Sequence, residues 1–212
     1  MNNMLCVPVG PLQANCYLVW DAERRACAID PGGEPERLVR LIEREGVAVE
    51  CILVTHGHFD HVGGVAGLAA ATGAPVYCST LVSPMLRGVE GCGATGMAIA
   101  TVADDAVREV EDGIVVPVGQ LLVKVVGTPG HGPGDVTFEI GGALFCGDLL
   151  FHGSVGRTDF PGGDFHALLA SVAKLAALYP ASTPVYPGHM DSTTLGEELA
   201  FNPFLTILNT DV

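Results

Sequence analysis

The stretch Thr55-His56-Gly57-His58-Phe59-Asp60-His61 constrains the fold more than any other part of the chain. Three imidazoles and a carboxylate lie almost side by side, a density that packing does not explain. Imidazole suits zinc, iron and related ions, and carboxylate oxygen adds negative charge. The preceding Cys51-Ile52-Leu53-Val54 reads as a buried strand, and Gly63-Gly64 with an Ala-rich helical segment follow. The cluster is therefore expected on a strand-to-helix turn at a strand's carboxyl end, the edge where open sheets commonly place ligands.

Other ligating residues recur at the ends of apolar runs. His131 lies in Thr128-Pro129-Gly130-His131-Gly132-Pro133-Gly134, where Gly and Pro hold a side chain in place. Asp148 follows Gly147 after a strand-like run, and His189 closes Pro187-Gly188-His189 after another. Around them the pattern predicts strands at 4–9, 14–20, 25–30, 49–54, 75–78, 136–140, 143–146 and 184–186. More strand character spans 107–126, with turns at Asp112-Gly113 and Gly119-Gln120. A helix opens at Pro35, carries Leu38, Leu41 and Ile42 on one face and stops at Gly46. Residues 62–72 read as helical and Leu81 to Arg87 as a weak helix. Asp164 caps a helix with Phe165, Leu168, Leu169, Val172 and Leu175 on its apolar face. Thr194-x-x-Glu197 is a capping box. Strands and helices thus alternate in two similar α/β halves. Residues 88–105 lose periodicity and read either as a lid or as a surface excursion.

Composition narrows the class. At 212 residues the chain is expected to form one domain over 1–212. Apolar residues are 49% and charged residues 16%, which predicts strands covered on both faces. No apolar run reaches the roughly 18–20 residues of a spanning helix, and the N-terminus has no basic segment before an apolar block. A cytoplasmic protein with no membrane partner is the expectation. The net charge of −14 opposes a nucleic-acid partner, which requires a basic patch. The seven cysteines are odd in number and contain no C-x-x-C, so they read as reduced residues, mostly of the core.

The candidate ligands are then His56, His58, His61, His131, His189, Asp60 and Asp148. Seven ligands are too many for one tetrahedral zinc and suit two metals with a position left for water. His56 and His58, two apart, are placed to face one ion, and Asp60 and His61 to reach its neighbour. Two divalent ions, two carboxylates and a hydroxide leave one net positive charge, a setting for attack on an activated acyl bond. His152 is a candidate for the pocket wall, and His166 reads as a plain surface residue.

These motifs together resemble the metallo-β-lactamase superfamily. The resemblance covers nearly the whole chain and implies a four-layer αββα sandwich with metals at one edge. It implies that His56, His58 and His131 bind one metal, that Asp60, His61 and His189 bind the second, and that Asp148 bridges. The five-histidine set with Asp148 is similar to the glyoxalase II branch. Gly153-Ser154-Val155-Gly156-Arg157-Thr158-Asp159-Phe160-Pro161, Thr193 to Glu198 and Asn202-Pro203-Phe204 are similar to short bacterial members of that branch. The implied activity is hydrolysis of a thioester such as S-lactoylglutathione by a metal-bound hydroxide that Asp60 helps to orient. Two divalent metals are implied, zinc first, with iron or manganese as alternatives. The resemblance makes Arg157 a candidate for a glutathione carboxylate; the residue pattern alone also allows an ion pair with Asp159. The resemblance stops short of the C-terminal helical domain of full-length glyoxalase II. Gly132 stands where many members carry a hydroxyl that supports the metal ligands. A single-iron persulfide dioxygenase and a lactonase are the alternatives on the same fold.

Overall fold

The computed structural model describes residues 3–89 and 99–206. Residues 90–98, which include Cys92 and Met97 and half of the lid candidate at 88–105, lie outside the described residues.

Two six-stranded sheets form the centre. The first is ordered β1 (Asn3–Val9), β2 (Ala14–Trp20), β3 (Arg25–Ile29), β4 (Ala48–Leu53), β5 (Val76–Ser79) and β6 (Val107–Val110). Its first three strands are antiparallel neighbours; β3 to β6 run parallel. The second sheet contains β7 (Val115–Val118), β8 (Leu121–Gly127), β9 (Val136–Ile140), β10 (Ala143–Gly147), β13 (Pro184–Pro187) and β14 (Thr193–Thr194). Two-residue strands β11 (Leu150–Phe151) and β12 (Ser154–Val155) pair separately.

Burial follows strand periodicity. Every residue of β2 is buried, as expected for a strand covered on both faces. Cys16, Leu18 and Trp20 pack with Leu38 and Ile42 of helix α1 (Pro35–Glu45) and with Val65 and Leu68 of α3 (Val65–Thr72). The alternate Tyr17 and Val19 pack with Val123, Val125 and Phe138 of the second sheet. The second sheet's outer face meets Leu168, Val172 and Leu175 of α5 (Phe165–Leu178). The order is helix, sheet, sheet, helix. Each fully buried Leu or Val side chain contributes about 1.5–3 kcal/mol to holding these layers together.

Local signals set the helix ends. Gly46 ends α1 in the left-handed region at φ 63°, and Asp164 accepts from the backbone N–H groups of His166 and Ala167. The capping box at Thr194 opens α6 (Leu195–Phe201). Two expectations need correction. Phe165 is 38% exposed: it shares the angular stripe of Leu168, Leu169 and Val172 but, as the first residue of α5, it projects past the packed part of the helix. Ser171, which the apolar pattern leaves out, is buried on the same helix, and its hydroxyl donates to the Pro129 carbonyl at 2.7 Å, tying α5 to the His131 loop. The helix expected at 62–72 is two pieces, α2 (Phe59–Val62) and α3, so Asp60 and His61 sit inside a helical turn.

The carboxyl ends of β4, β8, β10 and β13 share one edge. Backbone bonds stitch the two sheets there: Val136 N–H donates to Thr55 O at 2.9 Å, and Asn15 N–H to Gly188 O at 2.7 Å. Gly188 N–H donates to Gly147 O at 2.8 Å, joining the loops that carry Asp148 and His189.

Candidate metal centre

That shared edge brings all seven expected ligands together. His56, His58 and His131 form one group whose ligating atoms lie within 4.8 Å of one another; Asp60, His61 and His189 form a second. Asp148 stands between them. Its Oδ1 is 3.3 Å from His61 Nε2, and its Oδ2 is 3.6 Å from both His131 Nε2 and His189 Nε2. Two glycines let the backbone close this tightly. A Cβ at Gly188 would lie 2.3 Å from Asp148 Oδ1, and one at Gly156 would lie 1.7 Å from the Asp148 carbonyl oxygen.

The rings are aimed by partners behind them. His56 Nδ1–H donates to Thr55 Oγ1 at 3.0 Å, and the Thr55 hydroxyl donates onward to Asp30 Oδ2 at 2.6 Å. His61 Nδ1–H donates to the same Asp30 oxygen at 3.0 Å, and Thr55 N–H to Asp30 Oδ1 at 2.8 Å. His131 Nδ1–H donates to the Arg157 carbonyl at 2.7 Å. Each of these rings thus turns its Nε2 inward, where a metal would displace any proton that His61 carries there; His131 Nε2 stands 2.7 Å from His58 Nδ1. The Arg157 carbonyl supplies the support expected from a hydroxyl at position 132. The backbone N–H of Gly132 donates instead to Asp135.

The donor set fits cations on its own atoms. His56 Nε2, His61 Nε2 and Asp148 Oδ1 are buried polar atoms without a hydrogen-bond partner among the described residues. Buried polar atoms are ordinarily satisfied, and such a cluster at an inward-facing donor set is what a bound cation relieves. Electrostatics divides the two groups. Burial, then neighbouring imidazoles, holds His56 well below the usual imidazole range, and burial with His131 beside it takes His58 down to about 4. Burial also lowers His131. These rings stay neutral, with lone pairs available. His61 behaves oppositely: burial opposes its charge, but Asp148, the bond to Asp30 and the nearby Asp60 outweigh it and raise it to about 9. Asp60 is pulled down against its own burial by the His189 bond at 3.1 Å and by His61. Three carboxylates around His61 thus make a place that holds positive charge, as a proton or as a metal.

Two ligand-supporting residues were not apparent beforehand. They are Asp30, the last residue of the strand expected at 25–30, and Thr55, the first residue of the His/Asp stretch. The available signal is a carboxylate directly after the apolar run Ala26-Cys27-Ala28-Ile29. His152 is exposed and is not among the residues that line the pocket, contrary to expectation; His166 is exposed as expected. The described cysteines are free, and all but Cys6 are buried.

The pocket beside the ligands has a volume of about 230 Å³ and is walled by Leu12, Phe59, Phe160 and Arg157. The Arg157 guanidinium forms two bonds to Asp159, at 2.7 and 2.8 Å, and lies 3.8 Å from the Phe160 ring centroid. The ion pair that the residue pattern allowed is therefore present, at the surface.

A helix–sheet–sheet–helix sandwich with two groups of histidine and aspartate at one edge defines a class of metal-dependent hydrolase folds. The chain belongs to the metallo-β-lactamase superfamily, whose pattern matches residues 9–189. It is 34% identical to hydroxyacylglutathione hydrolase GloC of Haemophilus influenzae, over 96% of this chain and 98% of that protein. The structure of TTHA1623 in a di-iron-bound form is similar at 46% identity and TM-score 0.83, covering 95% of this chain and all 100% of that one. That of BLEG-1, a B3 metallo-β-lactamase, is similar at 36% identity and TM-score 0.86, covering 96% and 100%. The fold and the superfamily are as expected, and the His/Asp groups are compatible with two metals. No helix among the described residues is long and apolar enough to cross a membrane.

Proposed function

We propose that this metallo-hydrolase cleaves a thioester of the glyoxalase II type, S-lactoylglutathione being the first substrate to try. The observation that carries the reading is the trio of buried atoms that no hydrogen bond satisfies, His56 Nε2, His61 Nε2 and Asp148 Oδ1, on two adjacent ligand groups. His56, His58 and His131 would hold one divalent metal and Asp60, His61 and His189 the second, with Asp148 standing between the two groups. Zinc is the proposed ion, with iron and manganese as alternatives. Bound there, two divalent ions acidify water to a pKa of about 7 and polarise a carbonyl oxygen.

The chain's own residues do the remaining work. The Asp60 carboxylate lines the pocket, is held ionised, and accepts a hydrogen bond from the attacking water, which orients it. Asp30, through His61 and through Thr55 to His56, fixes which ring nitrogen carries the proton. Leu12, Phe59 and Phe160 exclude water and pack against the acyl or thiol chain, and Arg157 lines the substrate side. The net charge of −14 and the small-molecule size of the pocket fit a diffusible substrate and no nucleic acid.

The test is hydrolysis of S-lactoylglutathione by protein stripped with chelator and then reloaded, alongside metal analysis. The expectation is two metals per chain and activity that disappears and returns with them. Cleavage indifferent to stripping would end the reading. One iron per chain with oxygen uptake on glutathione persulfide would replace it with dioxygenase chemistry, and preferential lactone opening would move it to the lactonases.

A further inference from the structure

Arg157 is the only Lys or Arg among the described residues that line the pocket. An anion-recognising arginine needs its guanidinium fork free, because carboxylates are bound through paired N–H groups. Here the fork is occupied. Nε and one terminal nitrogen both bind Asp159, in a bidentate pair closed within three residues of chain. The flat face lies on Phe160, whose ring is 5.7 Å from the His58 ring and approaches it edge-on. Asp159 itself does not line the pocket; 69% of its side chain is exposed. Its charge thus cancels that of Arg157 from outside, while the stacked pair extends the aromatic wall toward the ligands. Arg157 also contributes its carbonyl to His131, so its backbone position is fixed whatever its side chain does.

We propose that Asp159 determines specificity: by occupying Arg157 and laying it on Phe160, it gives the pocket a neutral aromatic wall that accepts uncharged thiol groups as readily as carboxylate-bearing ones. This rests on a thiol-linked substrate, as proposed above, and concerns which thiol the pocket prefers. Removing the Asp159 charge frees the fork and converts the wall into an anion receptor.

The experiment is calorimetric binding of two hydrolysis-resistant thioethers to the metal-loaded protein: S-hexylglutathione, which carries two carboxylates, and neutral S-hexyl-N-acetylcysteamine. The ratio of the two affinities is the readout, so a variant with a smaller folded fraction still reports. The expected ratio in the unaltered protein is within about threefold of unity. Asp159→Asn is expected to shift it toward the glutathione conjugate by about fivefold, the scale of one exposed charge pair, and Arg157→Gln added to it is expected to remove the gain. A preference of tenfold or more for the glutathione conjugate in the unaltered protein overturns the proposal. So does an unmoved ratio in Asp159→Asn, or failure of both probes to bind. Because neither probe is cleaved, the outcome is separate from the hydrolysis test.

Discussion

Asp30 joins both ligand groups, which makes its replacement the most informative perturbation. The carboxylate is 2% exposed and accepts from Thr55 N–H, the Thr55 hydroxyl and His61 Nδ1–H. Asp30→Asn keeps the size but swaps one acceptor oxygen for a donor. If the amide oxygen serves His61 and the hydroxyl, the NH₂ meets Thr55 N–H. If the amide flips, the NH₂ faces His61 Nδ1 and drives the proton to Nε2, which removes the lone pair a metal needs. Either choice leaves a buried donor unmatched at about 1–3 kcal/mol, a sizeable part of the roughly 5–15 kcal/mol that holds a typical domain. Loss of such a supporting bond typically weakens metal binding about 10- to 100-fold. Because His61 is reached directly and His56 through Thr55, both metal equivalents are expected to weaken. Thr55→Val provides the contrast: it removes the acceptor of His56 Nδ1–H and leaves the His61 bond in place, so one equivalent weakens. Competition against a chromophoric chelator reads both equivalents, and denaturant unfolding of the stripped proteins separates the folding cost. Two equivalents bound by Asp30→Asn with unaltered affinity would refute the reasoning, as would identical titration curves for the two variants.

Two further outcomes are expected. Gly188→Ala places a Cβ 2.3 Å from Asp148 Oδ1 and 2.6 Å from His61 Cε1, so the Asp148 carboxylate must move. A displacement near 1 Å costs about 100-fold in rate, and kcat/KM for the thioester is the check; unchanged activity would mean that Asp148 is not placed by this contact. The stripped protein should also be most stable near pH 6.5. His58, taken down to about 4, is protonated first in the unfolded chain, so stability is lost as pH falls from about 6.5 toward 4. His61, raised to about 9, works the other way: its contribution is complete below about 6.5 and is lost as pH rises through 9. Denaturation midpoints in chelator at pH 5, 6.5 and 8.5 test this, and a monotonic trend would refute it.

Much of the centre was legible in the sequence because its donors are chemically unusual and follow apolar runs. A dense His and Asp turn, a histidine locked among Gly and Pro, and two more donors at strand ends cannot be mistaken for core. The strand and helix sequence was likewise readable from period and capping residues, since these are local. Tertiary structure decided what depends on partners distant in the chain. Asp30 is an ordinary strand-end carboxylate until the fold brings Thr55 and His61 to it, 25 and 31 residues away. Phe165 fits the apolar helical face, yet its place at the helix end leaves it exposed, while Ser171 is buried because the neighbouring loop offers it the Pro129 carbonyl. The same holds for charge: the residue types name imidazoles, but burial among other rings keeps His58 neutral while three surrounding carboxylates keep a proton on His61. Donor identity is a property of each residue alone; which lone pair faces inward, and at what protonation, is set by neighbours that only the folded chain assembles.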